Sequence, residues 1–174
     1  MPGWRLRSPS ALVARIESLT AALRALGHLA VQFRRQGRGR IGADEARALG
    51  LAARSAWVRE IVLQVDGVDL VAARSVLAPA ALRGAWRAVA GLRQRPLGEL
   101  LFADGRVRRS PLAFQVVRGR VHARHSVFFR AGRGLLVTEQ FLPAFWQRAG
   151  DSGDRERLPA RHRLVVASRA GRRG

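Results

Sequence analysis

An Asp-Gly dipeptide set between two runs of β-branched and aliphatic residues constrains this chain more than any other feature. The stretch from Trp57 to Leu77, WVREIVLQVDGVDLVAARSVL, carries Asp66 and Gly67 at its centre. Both central positions of a type I′ turn need positive φ, which glycine adopts freely and aspartate tolerates, so the pattern predicts a two-residue hairpin. With Val65 facing Val68, an unbroken register sets Arg59 opposite Arg74. Alternation then groups Arg59 with Trp57, Ile61, Leu63 and Val65, and Arg74 with Leu70, Ala72 and Val76, on one shared apolar face. Like charges opposed on such a face are destabilising unless an anion or a carboxylate lies beside them. The hairpin therefore predicts a hole shaped for negative charge.

The rest of the composition narrows the class of protein. A chain of 174 residues with 48% hydrophobic content suits one domain with a real core. Its net charge of +20 would suit nucleic acid or an anionic surface. All 32 basic residues are arginine, however, and lysine and tyrosine are absent, as codon bias in a GC-rich genome would produce. Nucleic acid is therefore not expected to be the main partner. The lack of cysteine removes disulfides, thiolate metal sites and cysteine nucleophiles together. Of the four histidines, only His122 and His125 are close, and an HxxH spacing on a strand turns the rings to opposite faces, so no metal site is expected. No run approaches the roughly 18 to 20 apolar residues of a membrane span. Arg15, Glu17 and Arg24 interrupt the N-terminal apolar pattern, so no signal-peptide core forms and a cytoplasmic location is expected.

Taken in order, the chain predicts a helix capped at Ser10, with Leu12, Ile16, Leu19, Leu23 and Leu26 on one face and Gly27 at its end. A second short helix is expected from Leu29, in LAVQFRR, so that the pair forms a helix-turn-helix in the geometric sense, read as a lid packed on a sheet in preference to a DNA reader because its first helix is the more apolar. The glycine- and arginine-rich stretch from Gln36 to Ser55 has little strand character, with room for one or two helical turns around Ala43 to Leu49. After the hairpin, Pro79 to Leu92 reads as a helix presenting Leu82, Trp86, Val89 and Leu92, and a further short helix should begin at Pro96 in RPLGELLF. From Val107, three β-rich runs separated by glycine turns predict an antiparallel meander. In the last run Leu135, Val137, Glu139 and Phe141 share a face. Residues 1–148 are expected to form the domain, and 149–174 a basic C-terminal tail with one short strand at Leu164 to Ala167.

These features converge on one type of ligand. Arg59 and Arg74 offer charge from an apolar sheet face, and arginine can hold a carboxylate bidentately. Glu139 offers an acceptor, or a donor if protonated. Leu29 and Leu97 fall in first turns of expected helices, where backbone N–H groups lack partners. A small, mainly apolar molecule with a carboxylate at one end and a hydroxyl or ether oxygen at the other would fit. A buried Arg74-Glu139 ion pair that merely closes the core is equally consistent with the spacing.

The blocks WVREIVL, DG, ARSVL, RPLGELLF, ARHSVF and LLVTEQFLPAF, in this order from about Leu29 to Phe145, resemble chorismate lyase, also called chorismate pyruvate-lyase. The resemblance implies an α+β, chorismate lyase-like fold: an antiparallel β-sheet with helices on one side and helix-turn-helix flaps over a buried ligand pocket. It also implies removal of pyruvate from chorismate to give 4-hydroxybenzoate for ubiquinone. By the same resemblance Arg74 binds the aromatic carboxylate, assisted by backbone N–H groups of Leu97 and Leu29, and Glu139 meets the ring oxygen. Arg59 is added as a neighbour of the carboxylate on the hairpin register alone. No metal or organic cofactor is implied, and a monomer is expected. The alternative is a non-catalytic sensor of small aromatic carboxylates, since the same fold serves as the effector domain of bacterial transcription regulators.

Overall fold

A computed structural model describes residue 13 and residues 16–148. Ser10, Leu12, His162 and the whole stretch 149–174, with its expected strand and tail, lie outside the described residues. An antiparallel sheet of seven strands organises the chain: β1 (Leu29–Arg40), β2 (Ser55–Val65), β3 (Val68–Leu77), β4 (Arg108–Arg109), β5 (Ala113–Val117), β6 (Arg120–Arg130) and β7 (Arg133–Phe141). Their order is β1-β2-β3-β7-β6-β4, and β5 also pairs with β6. Among the described residues the sheet is accompanied by the short α-helices α1 (Leu19–Arg24), α2 (Ala43–Ala48), α3 (Leu97–Ala103) and α4 (Pro143–Arg148). The architecture is α+β.

The hairpin forms where the Asp-Gly signal places it. Asp66 and Gly67 have φ of 51° and 76°, and Val65 faces Val68. Beyond that the expected register fails. Leu63 pairs with Val71 while Gln64 pairs with Asp69, so Leu70 is an extra residue, a β-bulge. One extra residue inverts every side chain beyond it, because the side-chain period is two. Arg59 consequently faces Ser75, and Arg74 faces Glu60 on the other side of the sheet. The expected Arg59-Arg74 opposition does not occur.

Four other segments differ from expectation: the first helix, LAVQFRR, the start of the Gln36 to Ser55 stretch, and Pro79 to Leu92. The first helix is interrupted, since Ile16 to Ser18 are not helical and Ser18 caps a shorter α1 by accepting a hydrogen bond from the Ala21 N–H. LAVQFRR is strand and not helix. Leu29, Val31 and Phe33 pair with Val65, Leu63 and Ile61, and the strand runs on through Gln36 and Gly39 as far as Arg40. Segments shorter than about 12 residues are marginal helices in water, so pairing to β2 outweighs the local preference. Pro79 to Leu92 forms two 3-10 segments, Pro79–Arg83 and Arg87–Gly91, with Trp86, Val89 and Leu92 buried as expected. The helix over 97–103 forms, with Pro96 at its N-cap, and α2 forms within the expected Ala43 to Leu49.

The core lies on both faces of the sheet. On the inner face, one apolar cluster joins Leu63, Val65, Val71, Phe141 and Phe145 to Val13, Leu19 and Leu23. A second joins Trp57, Leu77, Leu135 and Phe128 to Trp86, Val89, Leu97 and Leu101. On the outer face, α2 packs Ala46 against Val58, Val76, Leu136 and Val127. Each fully buried Leu, Val or Phe contributes roughly 1.5–3 kcal/mol relative to exposure. Trp86, 1% exposed, also donates from Nε1 to the Arg133 carbonyl at 2.9 Å, which fixes the 3-10 segments to the β6-β7 turn.

Candidate active site

Between the two inner clusters the sheet changes character. Cross-strand registers align Arg59, Ser75, Val137 and Ser126 in one row, and Ile61, Ala73, Glu139 and Arg124 in the next. Small or polar side chains at Ala73, Ser75 and Ser126 leave space where the flanking rows fill it. Above them sit the N-terminal ends of α1 and α3. The resulting pocket is lined among others by Leu19, Thr20, Arg59, Leu97, Arg109, Phe128 and Glu139.

Arg59 is 1% exposed. Its Nη2 donates to the carbonyls of Arg93 and Arg95 at 2.8 and 2.9 Å, but its buried Nε has no hydrogen-bond partner. Burial lowers its pKa from the usual arginine value. No carboxylate among the described residues pairs with it. A buried guanidinium left with an N–H unsatisfied is a costly arrangement that an anion would relieve.

Glu139 occupies the opposite flank, where Arg124 Nε donates to its Oε2 at 2.5 Å. Arg124 is fully buried and also donates from Nη1 to the carbonyls of Val13 and Ile16, which ties the carboxylate's partner to the chain entering α1. The expected core pair thus exists with a different arginine. Arg109 completes the wall: Nε donates to Ser126 Oγ at 2.9 Å, Nη1 donates to the Glu17 carbonyl at 2.8 Å, and the guanidinium lies 5.1 Å from the Phe128 ring centre.

Of the residues singled out in the sequence, the pocket brings together Arg59, Leu97 and Glu139. It excludes Arg74 and Leu29. Arg74 points to the outer face, where Nε donates to Glu45 Oε1 at 2.7 Å, Nη1 to Glu60, and Nη2 to the Arg40 carbonyl at 2.9 Å. Leu29 heads β1 and packs on the core beside Val65. The helix start over the pocket is Leu19, buried and at the first position of α1. Sequence reasoning missed Leu19, Arg109 and Arg124. Period-two alternation through ARHSVFF does place Arg124 with Ser126 and Phe128, and was the available signal.

Close packing holds the cover in place. A Cβ on Gly98 would come within 2.7 Å of Thr20 Oγ1, so α3 can approach α1 this nearly only with glycine there. Arg24 of α1 pairs with Glu99 of α3 at the surface. No group of three or more His, Cys, Asp or Glu among the described residues could hold a metal, and no described helix is long and apolar enough to cross a membrane.

The model of a family described as chorismate lyase matches residues 8–151. The chain belongs to the chorismate lyase family. A protein of Bordetella avium named probable chorismate pyruvate-lyase is 37% identical over 170 residues, covering 84% of this chain and 86% of the relative. One of Pseudomonas fluorescens, named probable chorismate pyruvate-lyase 1, is 35% identical over 148 residues, 75% of this chain and 80% of that one. Among solved structures, a GntR-family transcriptional regulator of Bacillus cereus is similar at a TM-score of 0.47 and 9% identity, covering 75% of this chain and 98% of that one. The ligand-binding domain of a GntR-family regulator from Bordetella bronchiseptica scores 0.44 at 17% identity, with 67% and 84% covered.

Proposed function

We propose that this member of the chorismate lyase family eliminates pyruvate from chorismate and forms 4-hydroxybenzoate, an aromatic precursor for ubiquinone. The observation that carries this reading is Arg59, a buried guanidinium facing the pocket without an acidic partner and with Nε unsatisfied. Arg59 binds the ring carboxylate, assisted by the backbone N–H groups of Leu19 and Leu97, which open α1 and α3 and line the same pocket. Across the pocket, Glu139 has one oxygen committed to Arg124 and offers the other to the oxygen substituents of the ring.

The chemistry asks mainly for placement. The ether bond to the enolpyruvyl group breaks, the ring carbon bearing the hydroxyl loses its hydrogen as a proton, and the ring becomes aromatic. The leaving enolpyruvate takes up a proton and is released as pyruvate. Aromatisation supplies the driving force, so holding the ring at both ends in a site screened from water is the protein's main contribution.

Incubating the purified protein with chorismate and following pyruvate by a coupled dehydrogenase, with 4-hydroxybenzoate by chromatography, tests the proposal. Equal release of both is expected. Tight binding of 4-hydroxybenzoate without pyruvate release would overturn turnover in favour of a sensor.

A further inference from the structure

Arg109 is a second cation in the pocket wall that the ring carboxylate does not use. Three contacts hold it: the Ser126 hydroxyl, the Glu17 carbonyl and the Phe128 ring. Its Nη2 makes no hydrogen bond among the described residues, and Arg109 forms no ion pair there either. Two acidic residues share the pocket with it. Glu139 is engaged by Arg124, and Glu17 is exposed. Burial and the charge of Arg124 lower the Arg109 pKa, while the charges of Glu139 and Glu17, neither carboxylate being ion-paired with it, act the other way. The wall therefore carries two guanidiniums, Arg59 and Arg109, that form no ion pair with a carboxylate among the described residues.

Their separation is also informative. Arg59 opens the row that ends at Ser126, and Ser126 is the residue Arg109 grasps. That row spans three interstrand steps, about 14 Å at the backbone, with both long side chains converging on the cavity between. A ligand with one carboxylate can satisfy only one of these cations.

We infer that Arg109 binds the second carboxylate of a dianionic substrate, the one carried by the departing three-carbon group, and so distinguishes substrate from product. The inference rests on the reading of the pocket as a chorismate site. Elimination removes the group that Arg109 holds, leaving a monoanion whose single carboxylate stays on Arg59. Because Arg109 also grips the Glu17 carbonyl, the second carboxylate is read at the entrance to α1.

The test uses two inert probes differing by one carboxylate, 3-methoxybenzoate and 3-(carboxymethoxy)benzoate, titrated into the full-length protein and its Arg109→Gln and Arg109→Lys variants. Arg109→Gln should weaken the dicarboxylate by about tenfold or more while changing 3-methoxybenzoate and 4-hydroxybenzoate about twofold at most. Arg109→Lys should recover part of the loss, and the KM for chorismate should rise more than kcat falls. Parallel weakening of all three ligands would show a strut between sheet and α1 and overturn the inference, as would no change in any. Should Arg109→Gln fail to fold, Ser126→Ala removes one anchor of Arg109, and the same selective loss in milder form is expected. Selective binding of the dicarboxylate by a parent protein that releases no pyruvate would support Arg109 while overturning the reaction.

Discussion

Arg59 and Ser75 are cross-strand partners on the inner face of the sheet, and this pairing turns Arg74, the next residue back along β3, to the outer face. The two arginines of one hairpin therefore do different work. Arg59 enters a pocket with an unsatisfied N–H, whereas Arg74 is enclosed by Glu45 and Glu60.

Substitution should separate them. Arg59→Gln is expected to cost about 2–5 kcal/mol of 4-hydroxybenzoate affinity, as removal of a buried charge partner does. Arg74→Gln should leave that affinity within about twofold and lower unfolding stability by roughly 1–2 kcal/mol, since its partners Glu45 and Glu60 are half-buried. Isothermal titration and urea unfolding on both variants check this, and a large affinity loss in Arg74→Gln would contradict the register.

Glu139→Gln retains shape and one acceptor oxygen but loses the charge that Arg124 pairs with. Pyruvate release from chorismate is expected to fall by about 100-fold or more. Arg124→Met leaves Glu139 without its partner and frees the Val13 and Ile16 carbonyls. Stability should fall by about 3–5 kcal/mol, because a half-buried carboxylate stays behind. Rates at parent level in Glu139→Gln would remove Glu139 from the reaction.

Gly98→Ala introduces a methyl into a 2.7 Å approach to Thr20 Oγ1. Displacing α1 from α3 costs about 1–3 kcal/mol where neighbours are packed. A raised KM is expected, and Thr20→Ser in the same chain should not repair it, since the hydroxyl remains. Thr20→Ala should repair part of it.

His125 lies on the outer face opposite Thr138, half-buried, and burial lowers its pKa from the usual value near 6.5, with Asp44 acting weakly the other way. Below that value the unfolded chain binds a proton more readily than the folded one, so stability declines as pH falls from about 6.5 toward the lowered folded pKa. Thermal melting between pH 7 and 5 should show a shallower decline in His125→Gln than in the parent. Identical slopes would remove His125 as a contributor.

Local chemistry determines much of this protein without reference to any tertiary contact. Asp66-Gly67 set the turn, Pro96 the start of the helix over 97–103, and the period-two run ending LLVTEQF put Glu139 among apolar neighbours. Those signals concern neighbours within a few residues, and neighbours are what a sequence displays. The alternation of Leu29, Val31 and Phe33 was visible too, but so short a run also fits a helix, and only the availability of the β2 edge decides between them.

What tertiary structure alone decided was which arginine meets which anion. Leu70 carries no residue signature of a bulge, yet its insertion opposite β2 moves Arg74 across the sheet and leaves Arg59 inside. Arg124 reaches Glu139 because β6 and β7 are neighbours in register, and Arg109 reaches the pocket through Ser126. A face is fixed by counting residues within a strand. A partner is fixed by register between strands, and one bulge changes that register for every residue beyond it.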